Sequence, residues 1–142
     1  MSLAEISDAD IQAVYPMVAT TIADALGLDA EDVELKHSLI EDLEAESIDF
    51  LDLVFRLERA FKIKIPRGRI LEDARGEMAE SEFEANGTVT ETGLARLREF
   101  LSEVPAARFT PGLKTADIPR LYTAETFCKL VVRAQRDAAA AG

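Results

Sequence analysis

Apolar residues recur at helical spacing in four separated stretches, and that pattern restricts the fold more than any other feature of the chain. Ile11, Val14, Tyr15, Val18, Ile22 and Leu26 make the first stripe. Ile48, Leu51, Val54, Phe55 and Phe61, with Leu57 in part, make the second. Leu94, Leu97, Phe100, Leu101 and Val104 make the third, and Phe127, Leu130, Val131 and Ala134 the fourth. Each stripe needs a partner surface to bury it.

Local signals punctuate these helices. Ser7 and Asp10 have the spacing of a capping box with a short acid. Pro16 either kinks the first helix or marks where it starts after a broken turn. Gly27 is placed to end it. Residues 28–46 form a long acidic connection with apolar anchors at Leu28, Val33, Leu35, Leu39, Ile40 and Leu43, and Ser38 is placed to start a single turn. The second helix is predicted from about Ser47 to Lys62, with Asp49, Asp52, Arg56, Glu58 and Arg59 in solvent. Its acids come first and Arg59 and Lys62 last, as the helix dipole favours. Pro66 is a stop signal.

Residues 67–113 are less regular. A helical turn is predicted around Ile70 and Leu71, and Asn86-Gly87 signals a turn suited to a small hairpin. Thr90 begins the third striped helix, with Arg96, Arg98, Glu99 and Glu103 mostly outside it, and Pro105 ends it. Ile118 and Leu121 pack a brief turn, and Thr123 caps the last helix. The Ala-rich tail from Asp137 is expected to fray.

Length and composition bound the function. The chain has 142 residues, 48% of them apolar. It suffices for one domain with a sizeable core and is too apolar to be disordered. No apolar run is long enough to span a bilayer, and no basic segment leads into an apolar one at the start, so a cytoplasmic protein is expected. Cys128 lies in an apolar helical pattern, which favours burial over catalysis. His37 has no cysteine or second histidine at ligand spacing, so no metal site is expected. The net charge is −11, of which residues 1–66 hold −10. Such a surface repels nucleic acid and favours a basic protein partner.

Ser47 stands at the start of the second predicted helix, between Glu46 and Asp49. Taken alone it reads as an N-cap. In context, Asp42-Leu43-Glu44-Ala45-Glu46-Ser47-Ile48-Asp49 resembles the modification site of acyl carrier proteins, which typically read Asp-Leu-Gly-Ala-Asp-Ser-Leu-Asp. The order of the pieces from about residue 8 to Pro66, and again from about Lys114 to Arg136, is similar to that family. The resemblance implies an all-α, acyl-carrier-like four-helix bundle. Residues 1–142 would form a single carrier domain, and an insertion at about 67–113 would add an amphipathic helix, packed beside the second or last helix.

It further implies that Ser47 bears 4′-phosphopantetheine, attached from coenzyme A by a phosphopantetheinyl transferase. The arm's thiol would hold acyl groups as thioesters for fatty-acid, polyketide or lipid biosynthesis. Glu46, Asp49, Asp52 and, more weakly, Glu58 would dock acyl-transfer or condensing enzymes that carry basic patches. Val54, Phe55, Phe61 and Phe127 are candidates to line an acyl-holding interior. Glu44 departs from the family, because it replaces a glycine and would be strained if that position needs a positive φ. Arg56 and Arg59 depart from the usual acidic helix. The alternatives are an aminoacyl or peptidyl carrier of the same fold, or an unmodified interaction module. The residues offer no nucleophile–base pair, so no catalytic residue is expected, and a monomer is the expected state.

Overall fold

A computed structural model of the chain describes residues 6–46, 48–66 and 68–141. It is mostly helical, with one two-stranded hairpin. Helix α1 (Asp8–Leu26) opens with the predicted capping box: the Ser7 hydroxyl accepts from the Asp10 N–H, and the Asp10 carboxylate accepts from the Ser7 N–H. The helix runs through Pro16 without a break, although Pro16 cannot donate to the carbonyl four residues back. Gly27 ends it in the left-handed region at φ 72°. Two long helices pack on α1, namely α2 (Asp49–Phe61) and α6 (Ala124–Ala141).

The acidic connection is tied down by backbone rather than by its apolar anchors alone. Leu39 N–H donates to the Tyr122 carbonyl, while Ala124 and Glu125 N–H donate to His37 and Leu35. Ser38 starts the predicted turn, accepting from Glu41 N–H, and its hydroxyl also donates to the Arg120 carbonyl. Val33 and Leu39 are fully buried, whereas Leu28 is exposed. The start of α6 is held by a second reciprocal cap, in which Thr123 and Thr126 each accept the other's N–H.

The register of α2 differs from the sequence reading. Leu53 and Leu57 are buried, at 2% and 0% exposure. Phe50, Val54 and Phe61 are partly buried against the same core. Ile48, Leu51 and Phe55, expected inside, are exposed at 74%, 39% and 49%. Two apolar stripes overlap on this helix, and the one at 50, 53, 54, 57 and 61 is the one that meets α1. The helix also begins at Asp49, with Ile48 at the N-cap position and no side-chain cap there.

The segment after Pro66 is built into the core. Helix α3 (Arg69–Arg75) leads to α4 (Glu80–Phe83), a one-turn helix with no sequence stripe. The hairpin β1 (Glu84–Ala85) and β2 (Thr88–Val89) follows, and then α5 (Glu91–Phe100). Asn86 and Gly87 both have positive φ, 54° and 79°, as the two-residue turn requires. Thr90 caps α5 by accepting from Gly93 N–H. Gly93 sits so close to the Phe83 carbonyl that an added Cβ would lie 2.2 Å from that oxygen. Phe83, Leu94, Leu97, Leu101, Val104 and Phe109 belong to the same buried cluster as Val18, Leu57 and Phe127.

Beyond α5, Phe100 lies under the Arg133 guanidinium at 4.3 Å, and Lys129 reaches Glu103 at 2.7 Å. These contacts attach the segment to α6. The Glu103 side chain is buried, not outside as expected, because Lys129 and the Thr126 hydroxyl satisfy it. A 3-10 helix at Thr115–Leu121 buries Ile118 and Leu121 and leads into α6. α6 stays helical past Asp137, where fraying was expected; alanine has the highest helix propensity, and Asp137 is held by Arg69.

The register of α2 sets a stability contrast. Leu57→Ala should lower unfolding stability by about 2–5 kcal/mol. Phe55→Ala should cost less than about 1 kcal/mol, both read from urea denaturation. The expected order reverses if Phe55 is core.

Burial pushes the Cys128 thiol up to about 12, with the Glu125 carboxylate adding to it. The unfolded thiol ionises nearer its ordinary value of 9.0. The unfolded state therefore sheds its proton first, so this group's contribution to stability should fall as pH rises from about 9 towards 12. Cys128 should resist a thiol reagent at pH 8 until the chain is unfolded by urea, with the reaction followed by absorbance.

Candidate functional site

The site is the approach to α2. Ser47 itself lies outside the described residues. Its neighbours on either side, Glu46 and Ile48, are both exposed. The Asp49 carboxylate accepts from the Glu46 N–H at 2.8 Å, and the Asp49 N–H donates to the Glu46 carbonyl at 2.9 Å. This reciprocal pair closes a turn around position 47. The cap reading made for Ser47 falls outside the described residues.

Behind this turn, Glu44 adopts a left-handed conformation at φ 60°. This is the strained position foreseen if the family glycine needs positive φ, and Glu44 accepts that conformation rather than remaking the turn. Left-handed backbone costs a residue with a Cβ about 1–2 kcal/mol. Ala45 N–H donates to the Leu39 carbonyl and Ala45 is buried, which holds the turn in place.

The acids proposed from sequence lie in different settings. Asp49 is occupied by the turn. Asp52 is exposed and pairs with Arg56 at 2.9 Å, one helical turn on. Glu58 accepts from the Ile65 N–H at 2.7 Å, so it fixes the exit from α2. Glu46 is exposed at the head of the helix. Ile48, Leu51 and Phe55 form an apolar ridge along the same helix, with Arg59 exposed beyond them.

Beside the ridge lies an apolar cleft of about 320 Å³. Its walls are Phe50, Leu51 and Val54 from α2, Ile65 and Pro66 from the exit, Gly68 to Leu71 at α3, and Tyr122, Phe127 and Leu130 around α6. Phe50, Tyr122 and Phe127 form a ring cluster with centroids 5.7–6.1 Å apart. Burial pushes the Tyr122 phenol well above its ordinary range. Of the lining residues expected from sequence, Val54 and Phe127 are there. Phe55 lies instead in a surface hollow with Arg59 and Lys64, and Phe61 is packed in the core. Phe50 and Tyr122 were missed. Phe50 could have been found, because it starts the second apolar stripe of α2; Tyr122 precedes its helix and carries no periodic signal.

His37 accepts from the Glu34 N–H through Nδ1. Among the described residues no group of three or more potential metal ligands comes together. No helix among them is long and apolar enough to cross a membrane.

Comparison with known proteins gives this geometry its class. Residues 18–75 match the family model for a phosphopantetheine attachment site. The chain is 42% identical over 53 residues to an acyl carrier protein of Clostridium acetobutylicum, covering 37% of this chain and 69% of that one. An acyl carrier protein of Bdellovibrio bacteriovorus is 39% identical over 54 residues, covering 38% and 69%. The acyl carrier protein AcpXL of Rhizobium meliloti is 39% identical over 56 residues, covering 39% and 59%. No solved structure matches significantly. The chain belongs to the acyl carrier protein family. It is an acyl carrier whose prosthetic group is covalently attached 4′-phosphopantetheine. The described residues are compatible with such a group: Glu46 and Ile48 are exposed at the head of α2, and Phe50, one residue past the Glu46–Asp49 turn, lines an apolar cleft.

Relieving the strain at Glu44 should be measurable. Glu44→Gly should raise stability by about 1 kcal/mol, the released strain being partly offset by the looser unfolded chain. An upward shift of the thermal midpoint checks it, and a downward shift argues against strain at this turn.

Proposed function

We propose that Ser47 is the attachment point of the phosphopantetheine arm and that the chain carries acyl groups for fatty-acid, polyketide or lipid biosynthesis. The observation that carries this reading is the exposure of Glu46 and Ile48 at the head of α2, two residues before Phe50 enters the wall of an apolar cleft. When bound, the arm supplies a terminal thiol that holds an acyl group as a thioester. The chain's own residues do the rest. The Glu46–Asp49 pair holds the backbone on either side of position 47, where Glu46 and Ile48 are exposed. The Phe50, Tyr122 and Phe127 rings offer apolar surface to a cargo chain and keep water from it.

The docking face is the outer side of α2. Ile48, Leu51 and Phe55 supply apolar contact, and Glu46 and Asp52 meet basic groups on a phosphopantetheinyl transferase or an acyl-handling enzyme. Asp49 and Glu58 contribute mainly charge, since their carboxylates also serve the helix ends. Arg56 and Arg59 lie further along and select partners that tolerate cations there. We read residues 1–142 as one carrier domain, because the inserted segment buries its side chains in the same core. A monomer in the cytoplasm, performing no catalysis of its own, completes this reading.

Incubation with coenzyme A and a broad-specificity phosphopantetheinyl transferase should raise the intact mass by one phosphopantetheinyl group. Ser47→Ala should gain nothing. An equal gain in both would move the attachment elsewhere; no gain with several transferases would favour an unmodified interaction module.

A further inference from the structure

The groove between α2 and α6 holds a second hollow, and Arg69 lies where it meets the apolar cleft. The cleft lies along the first halves of both helices, at Phe50 and Val54 on one side and Phe127 and Leu130 on the other. The second hollow, of about 510 Å³, lies along their last halves, at Glu58 and Lys62 against Ala134 and Asp137. Among the described residues, Pro66 and Arg69 line both. The two spaces follow one another along the groove, with Arg69 at the boundary.

Arg69 is held in place firmly. Its Nε meets Asp73 Oδ2 at 2.6 Å on α3, and its Nη1 meets Asp137 Oδ2 at 2.6 Å on α6. Its side chain is mostly buried. The guanidinium thus bridges the inserted helix to the last helix across the groove. The surroundings change at this point. The cleft before it is walled mainly by aromatic and aliphatic side chains, whereas the hollow beyond it mixes Ile63, Ala134 and Ala138 with the charged Glu58, Lys62, Lys64 and Asp137.

We propose that Arg69 is the stop that ends the acyl-binding cleft and so sets the longest saturated chain this carrier shelters. The proposal rests on the carrier reading of Ser47. A chain entering from the head of α2 gains by burying each methylene along Phe50, Val54 and Leu130. At Arg69 the gain ceases, because further advance must separate a buried cation from two carboxylates before it reaches a hollow that the charged Glu58, Lys62 and Lys64 help to line. Arg69 is a specificity-determining residue that the inserted segment contributes. Ile70 and Leu71, next to it on α3, roof the apolar side.

The test uses the full chain loaded from a series of saturated acyl-coenzyme A thioesters, hexanoyl to hexadecanoyl, by a broad-specificity transferase. Intact mass confirms loading. Cleavage of each thioester by a soluble thiol then measures shelter. In the native chain, protection should rise by up to about fourfold per added methylene and then level off. Arg69→Ala should move the levelling point to longer chains by at least two methylenes. Asp137→Asn, at an exposed carboxylate, should move it in the same direction by less, and Arg69→Lys should keep the native limit. If Arg69→Ala does not fold, Asp137→Asn decides by the same criterion. A levelling point that is the same in every folded variant overturns the proposal alone, as does an absence of protection at every length in a loaded native chain. Failure of the native chain to load at Ser47 overturns the carrier reading, and the proposal with it.

Discussion

The packing of Phe50 against Tyr122 and Phe127 is the contact on which the arrangement of the site depends. It joins the first turn of α2 to the entrance of α6, across more than seventy residues of intervening chain. A ring cluster of this kind has a preferred geometry as well as buried area. It therefore fixes the spacing of the two helices where the cleft opens. The backbone strap from Leu35 to Leu39 reinforces it by bonding to Tyr122, Ala124 and Glu125. The Glu46–Asp49 turn at the head of α2 lies next to the first of these fixed points, at Phe50.

That closure explains how the chain accommodates so long a segment between α2 and α6. The segment leaves at Pro66, in the wall of the groove, and returns at Lys114, against the hairpin. Thr88 bridges back to Lys114, and the Thr115 hydroxyl donates to the Glu84 carboxylate, so the hairpin is stitched to the returning strand. The buried leucines of α5 then need no separate core. They join the one formed by α1, α2 and α6.

Much of this was legible from residue patterns because it rests on local chemistry. The Ser7–Asp10 box, the Asn86-Gly87 turn, the helix start at Thr90, the Thr123 cap and the Gly27 stop each need only a few neighbouring residues to specify them. The burial of α2 was not legible, because two apolar stripes coexist on one helix and periodicity cannot say which meets the core. The exposed stripe shares its side with Asp52 and Arg59, and that company was the available clue. α4 carries no stripe, and its one turn is held by tertiary contacts of Phe83. The role of Glu44 was half legible. Its strain was foreseen, but whether the turn would yield or the residue would comply depends on Ala45 being buried and bonded, which is a property of the fold. At the site, the serine context was readable, whereas the cleft needed Tyr122, Ile70 and Leu71 brought from distant parts of the chain.

The ridge of Ile48, Leu51 and Phe55 has a colloidal consequence. A wet apolar helix face is sticky towards any other copy of itself. Here it rides on a molecule of net charge −11, with most of that charge in the same half of the chain. Long-range repulsion between like molecules holds the ridges apart while leaving them open to a partner of opposite sign. Dissolved salt shortens the reach of that repulsion to about 10 Å at 0.1 M and about 3 Å at 1 M. The charge therefore works as a dispersant for the exposed ridge, and concentrated brine would take that protection away while leaving the ridge unchanged.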